Sequence, residues 1–222
     1  MNLKRNIENI KKNYSLGIIG GGQLALMLAE AATNRGIKVC VQTKSSNDPA
    51  SLKADHIIVA DPLKVKGNKD LIKECEKIIF ENEWIQIEKL NLIDSKNIFV
   101  PSLESIQPLV DRISQKKLIE RMSLPSPRWI SIKEFKSLNE EETKDWIFPL
   151  MVKSHKGGYD GKGNKKINSK DDLNSFLVEA NSDEWLIEEW VDYENEFALV
   201  GSRDFDGEIR FFPIVETFQK NN

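Results

Sequence analysis

Four glycines, Gly157, Gly158, Gly161 and Gly163, fall within seven positions, shortly after an apolar run that ends at Lys153. Each glycine loses more conformational freedom on folding than any other residue and brings no side chain to a core, so the cluster is not there for packing. It reads as a loop between two strands, at 149–153 and 165–167. Backbone amides in such a loop suit the wrapping of a polyphosphate, and Lys153 stands where an ammonium would neutralise phosphate charge. The order GxxxxGK(S/T) is missing, so this is not a Walker loop. A flexible hairpin with ordinary surface lysines is the bland alternative.

Residues 1–14 are polar and Lys/Asn-rich, and read as a flexible lead-in. An apolar run, Leu16 to Ile19, then enters Gly20, Gly21 and Gly22, and Leu24, Met27, Leu28 and Ala31 follow at helical spacing. A second strand is predicted at 38–41. Further short apolar runs at 56–59, 77–80 and 97–100 alternate with polar helical stretches, which implies a parallel, Rossmann-like α/β sheet over 15–113, its strand ends facing one crevice. Pro101, Pro125 and Pro127 mark the passage to a new unit. In that unit, Ser169 to Asp172 matches a capping box that opens a helix through about residue 180, and strands are predicted at 185–189 and 196–200. The alternation gives way to an antiparallel α+β pattern.

Composition narrows the functional classes. Hydrophobic residues are 40% and charged residues 30% of 222, an ordinary globular balance with no apolar run of membrane-spanning length. The opening Met-Asn-Leu-Lys-Arg-Asn-Ile-Glu lacks a signal peptide's continuous apolar stretch, so a cytoplasmic protein is expected. A net charge of −3 without a basic stripe argues against nucleic acid as a partner. Cys40 and Cys75 have no CxxC spacing and read as buried, reduced thiols; with His56 and His155 as the two histidines, no metal ligand set is assigned.

Two further motifs carry chemistry. Gly20, Gly22 and Ala25 fit GxGxx(G/A) between strand and helix, but a nicotinamide dinucleotide site would want an acidic residue at the end of the second strand, where Gln42 and Thr43 stand. The turn is either structural or substrate-facing. Downstream, Glu188-Glu189-Trp190-Val191, followed by Glu196, offers a carboxylate for an adenine amino group, backbone groups for the adenine edge and a second carboxylate for ribose hydroxyls. A Glu pair on a solvated strand face is the plain alternative.

Taken in order, Gly-Gly-Gly-Gln-Leu from Gly20, Glu81-Asn-Glu83-Trp-Ile, Asp111-Arg112 with downstream lysines, Gly-Gly-Tyr-Asp-Gly-Lys-Gly from Gly157, and Glu-Glu-Trp-Val with Glu196 resemble the ATP-grasp family of the phosphoribosylaminoimidazole carboxylase ATPase subunit, also called 5-(carboxyamino)imidazole ribonucleotide synthase. The resemblance runs from about Leu16 to the last residue. It implies a Rossmann-like domain over 15–113 and an incomplete ATP-grasp domain over 114–222, with a lid at about 125–185. The implied reaction, in de novo purine biosynthesis, phosphorylates bicarbonate with ATP to carboxyphosphate and then carboxylates 5-aminoimidazole ribonucleotide. By position, Arg112, Lys153, Gly158 to Asn164, Glu188, Glu189, Trp190, Val191 and Glu196 are implied ATP contacts. Tyr159, Asp160 and Lys162 are implied to act on bicarbonate and the ribonucleotide, joined by Glu81 and Glu83. Gly161 and Gly163 complete the loop, which is expected to be open without ligand.

The family's histidine near the phosphates is replaced by Gln219, which donates a hydrogen bond but carries no charge. The resemblance further implies Mg²⁺, on carboxylates expected beyond residue 222, and a possible homodimer. On that reading the chain alone is expected to be inactive, and the rival is a nucleotide-binding or interaction module without turnover. Formate-using transformylases and biotin-carboxylase-like proteins are the remaining ATP-grasp alternatives.

Overall fold

The computed structural model describes residues 12–94, 97–156 and 163–218. The chain divides into two compact units, Met1–Leu118 and Ile119–Asn222. In the first, β1 (Tyr14–Ile19), α1 (Gln23–Thr33), β2 (Val39–Thr43), β3 (His56–Val59), α2 (Val65–Glu74) and β4 (Cys75–Phe80) build one sheet of order β3-β2-β1-β4. All its pairings are parallel, with Ile18 opposite Val41 on one side and Ile79 on the other. The short helices α3 (Ile87–Asn91) and α4 (Leu103–Ile106) follow, and α5 (Arg112–Arg121) runs across the boundary between the units.

Period-two alternation sorts the strand side chains onto two faces. Ile18, Val39 and Val41 pack with Ala25, Ala29 and Ala32 of α1, whose small side chains let helix and sheet approach closely. Ile19, Cys40 and Ile78 turn the other way, onto Leu71 of α2 and the Ile87, Leu90, Phe99 and Leu103 group. All five residues of β2 are buried. Gly17 of β1 leaves space that a Cβ would take from Cys75 Sγ and Leu71, each 3.0 Å away. Both cysteines are free and buried, and hydrogen bonding with Cys40 and then burial push the Cys75 thiol up.

In the second unit, β5 (Trp129–Ser131), α6 (Ile132–Phe135), α7 (Glu140–Lys144), β6 (Leu150–Ser154), β7 (Asn164–Ile167), α8 (Lys170–Glu179) and β8 (Trp185–Glu189) form an antiparallel sheet of order β5-β8-β6-β7 with helices on one face. Leu150, Val152, Ile167 and Ile187 make the sheet side of that core, and Ile132, Phe135, Trp146 and Leu173 the helix side. Two ladders complete the unit: β9 (Glu196–Ala198) with β12 (Val215–Thr217), and β10 (Gly201–Arg203) with β11 (Ile209–Phe211), both antiparallel.

The parallel α/β unit followed by an antiparallel α+β unit is the fold class that the sequence pattern implied. Three local readings differ. The strand expected at 97–100 reduces to one bridge, Ile78 with Phe99. Asn97 takes a left-handed φ of 48°, and Pro101 has no N–H to extend a ladder. The strand expected at 196–200 ends at Ala198. Ser169 caps α8 by accepting from Asp172 N at 3.1 Å, without the reciprocal half of a capping box. The reciprocal form occurs at Ser131 with Glu134 and at Asn139 with Glu142.

Leu150 is fully buried at the centre of the second core, whereas Val178 on α8 is 86% exposed. Leu150→Ala should cost about 2–5 kcal/mol in denaturant unfolding, and Val178→Ala should stay within about 0.5 kcal/mol. Equal effects would mean that this core does not hold the unit together.

Candidate functional site

The first unit carries a cleft of about 210 Å³ at the carboxyl ends of its parallel strands, lined among others by Gly20, Gly21, Thr43, Asp61, Glu81 and Trp84. The chain runs from β1 outward to β2 and β3 and then returns to β4 on the other side, so the cleft lies at the topological switch point where α/β sheets bind ligands. Gly20 has φ 125°, and a Cβ there would come within 2.3 Å of Glu81 Oε2. The turn is glycine because the Glu81 carboxylate lies against it.

Glu81, just past β4, accepts from Gly22 N at 3.1 Å and Ala25 N at 3.4 Å. These are amides at the start of α1, where a Rossmann dinucleotide protein receives pyrophosphate. The helix N-terminus already holds an anion, and a second one would meet its repulsion. At the end of β2, Gln42 is fully buried, donates to Asp61 O at 3.1 Å and accepts from Asn68 Nδ2 at 3.0 Å, so it is spent on structure. The nicotinamide dinucleotide alternative therefore loses both of its anchors. Glu83 lies two residues on, with Oε1 buried and without a hydrogen-bond partner among the described residues.

In the second unit the strand register places the other candidates. Val152 and Leu150 point into the core, so Met151 and Lys153 point to the opposite face. Met151 lies opposite Glu188 on β8 and Lys166 on β7; Lys153 lies opposite Leu186 and Asn164. Lys153 and Glu188 are thus diagonal neighbours, and Lys153 Nζ meets Glu188 Oε2 at 2.6 Å. The Glu188 side chain is 5% exposed and that of Lys153 31%. Lys166 Nζ stands 4.0 Å from the centre of the Trp190 ring. On the same sheet face, then, one ammonium is held by a carboxylate and another by an aromatic ring.

The remaining candidates do not all join this group. Glu189 faces the other way and approaches Arg128 at 3.8 Å, while the Arg128 guanidinium lies 4.2 Å from the Trp146 ring centre. Val191 is half exposed just beyond β8. Glu196 belongs to the outer ladder, where it accepts from Thr217 Oγ1 at 2.9 Å and lines a second cleft of about 230 Å³ with Asn195 and Glu216. Gly163 O accepts from Ser154 N at 2.8 Å, closing the base of the glycine loop. Arg112 opens α5. Gly158, Tyr159, Asp160, Gly161, Lys162 and Gln219 lie outside the described residues. Lys166 was missed by the sequence reading. Its signal was its place two residues after Asn164 on a strand, the period that returns a side chain to one face.

Two family models match the chain: a ribonucleotide synthetase preATP-grasp domain over residues 14–109 and an ATP-grasp domain over 117–222. The two matches make the chain an ATP-grasp protein whose first unit is of the preATP-grasp kind. More particularly, the chain is a homologue of the N5-carboxyaminoimidazole ribonucleotide synthases. It is 36% identical to the Synechocystis enzyme of that name over 94% of its own length and 52% of the relative's. The crystal structure of the Staphylococcus aureus N5-carboxyaminoimidazole synthetase complexed with ADP matches with a TM-score of 0.84 at 31% identity, covering 95% of this chain and 56% of that one. The Aspergillus clavatus synthase complexed with ATP matches with a TM-score of 0.82 at 26% identity, covering 94% and 55%. The chain spans about half the length of the relatives it matches.

The cap at Glu81 is open to test. Replacing Glu81 with Ala leaves the first amides of α1 without their acceptor and should lower stability by about 0.5–2 kcal/mol, measured by chemical denaturation. Unchanged stability would show that the carboxylate is not holding the turn.

Proposed function

We propose that this chain supplies the nucleotide-binding part of an ATP-dependent carboxylation of 5-aminoimidazole ribonucleotide, with bicarbonate as the carbon source, in purine biosynthesis. The observation that carries the reading is the sheet face of Lys153, Lys166, Met151 and Glu188, one strand turn before the glycine loop. Its chemistry matches a purine nucleotide. The half-buried Met151 offers apolar contact for a base, Glu188 an acceptor for its amino group, and Lys153 and Lys166 cations for phosphates. The relatives' names and the nucleotides in their crystal structures, ADP in one and ATP in another, support it.

Within that reading, Lys153 stabilises charge on the phosphates, and Glu189 to Val191 present backbone groups to the base edge. Glu196 takes the ribose hydroxyls. Arg112 and Asn164 join the phosphate contacts, and Gln219 donates a neutral hydrogen bond there. The segment of Gly158, Tyr159, Asp160, Gly161, Lys162 and Gly163 covers the reacting groups, keeping water from the carboxyphosphate, while Tyr159, Asp160 and Lys162 meet bicarbonate and the ribonucleotide. Glu83, whose buried oxygen lacks a partner among the described residues, is the carboxylate of the first unit with capacity for a substrate amine; Glu81 fixes the loop beside it. Among the described residues no group of three or more His, Cys, Asp or Glu side chains could hold a metal ion. No described helix is long and apolar enough to cross a membrane.

Replacing Lys153 with Met removes a charge-assisted contact, so ATP binding should weaken by about 1.5–3 kcal/mol in titration calorimetry. Unchanged ATP affinity would take Lys153 out of the site and with it the main support for the reading.

A further inference from the structure

From Val191 to Phe218 no residue is buried, although the segment is rich in aromatic and branched side chains. Phe197, Val200, Ile209, Phe211, Phe212 and Ile214 are each more than half exposed, and none of them belongs to the core of the second unit. Such side chains normally line a sheet interior. The segment forms two ladders, β9 with β12 and β10 with β11, and between them Phe212 N donates to Val200 O at 2.9 Å. Residues 196–203 and 209–217 thus make one narrow ribbon. Each ladder has two strands, so among the described residues every strand of the ribbon keeps an open edge. A two-stranded ribbon is at best marginally stable in water and needs further strands or a packed layer to hold it. Its open apolar edges are templates for another segment.

Both sides of the ribbon carry apolar groups. Ile209 and Phe211 share one side of β11, where the Phe211 ring lies over Gly201: a Cβ on Gly201 would come within 2.8 Å of it. Phe212, one residue on, turns to the other side. Covering both sides takes more than one added strand.

We propose that the ribbon is the docking edge for the part of an N5-carboxyaminoimidazole ribonucleotide synthase that this chain does not span, which adds strands to it and covers its apolar sides. Two observations point to this occupant. The ATP-grasp match runs over residues 117–222 and so includes the ribbon. The chain spans about half the length of the relatives it matches, so in them the matched part is accompanied by nearly as much chain again. A second copy of this chain fits less well, because twofold pairing of two ribbons joins one edge of each and leaves the other edge, and one apolar side, in water. Covalent continuity is not required, since added strands are held by backbone hydrogen bonds and apolar burial. Docking at the ribbon does not depend on the nucleotide reading above, and its test uses no nucleotide.

The 222-residue chain is mixed with the separately produced part of the Synechocystis enzyme that lies outside the match, and followed by analytical ultracentrifugation and amide hydrogen exchange. A one-to-one complex should form. Amides of 196–203 and 209–217, fast to exchange in the chain alone, should slow on mixing, whereas those of α8 should not change. Phe197→Ser and Phe211→Ser should each weaken the complex by about tenfold or more, as expected of aromatic anchors at an interface. Val178→Ser, on the exposed face of α8, should leave it unchanged. The exchange measurement needs no variant, so a folding defect in Phe211→Ser would not shelter the idea. Absence of a complex, or a complex that leaves the ribbon unprotected, refutes it. So does a defined dimer of the chain alone that protects 196–217, which would make the ribbon an interface between copies.

Discussion

A carboxylate shielded from water in the middle of an antiparallel sheet needs a cation or donors beside it, and Glu188 is such a group. Its strand, β8, is hydrogen-bonded on both sides, to β5 and to β6, so its position is fixed by the backbone before any side chain chooses a partner. Lys153 reaches it diagonally from the neighbouring strand and satisfies it while staying a third exposed itself. On the proposed reading, that asymmetry gives the pair a ligand-facing role as well as a structural one. The member with reach toward solvent carries the charge that phosphate wants, and the member without it carries the acceptor that an amino group wants.

The two glycine-rich turns show how similar sequence signals lead to different chemistry. At Gly20 to Gly22 a strand enters a helix, and the helix N-terminus is a ready anion site. Glu81, brought in from the end of the adjacent strand β4, occupies it, and its approach explains why a side chain at Gly20 would not fit. After Lys153 the glycines follow a strand that returns antiparallel through β7, and the cation beside them is tied to a carboxylate rather than to the backbone. The first turn closes a structural contact, whereas the second follows a strand whose Lys153 is held by a carboxylate across the sheet.

Much of this was legible in the sequence, and the exceptions share a cause. Strands at 56–59 and 185–189 were placed to the residue, because apolar runs bounded by turn residues and polar helices report their own period. The parallel layer and the switch to an antiparallel pattern followed from the spacing of those runs, whereas the order of the strands came only from the structure. The role of Glu81 was not legible: its partners are 56 and 59 residues away, and nothing local distinguishes a carboxylate that caps a helix from one that faces substrate. Lys166 was hidden for the same reason, since its neighbour Trp190 comes from another strand's end. At 97–100 local composition misled, because Asn97 and Pro101 limit the ladder at its two ends.

The strand period couples the core of the second unit to its chemistry. Leu150 and Val152 must face the helices, and this alone sends Met151 and Lys153 to the opposite side. The same holds for β8, where burying Ile187 in the core presents Leu186 and Glu188 on the other face, and for β7, where Ile167 in the core presents Lys166. A slip of one residue in any of these strands would put a charged group in the core and an aliphatic one on the opposite face. The apolar residues behind the sheet therefore hold the charged residues in front of it in register. The burial that stabilises the unit is also what sets Lys153 diagonally across from Glu188.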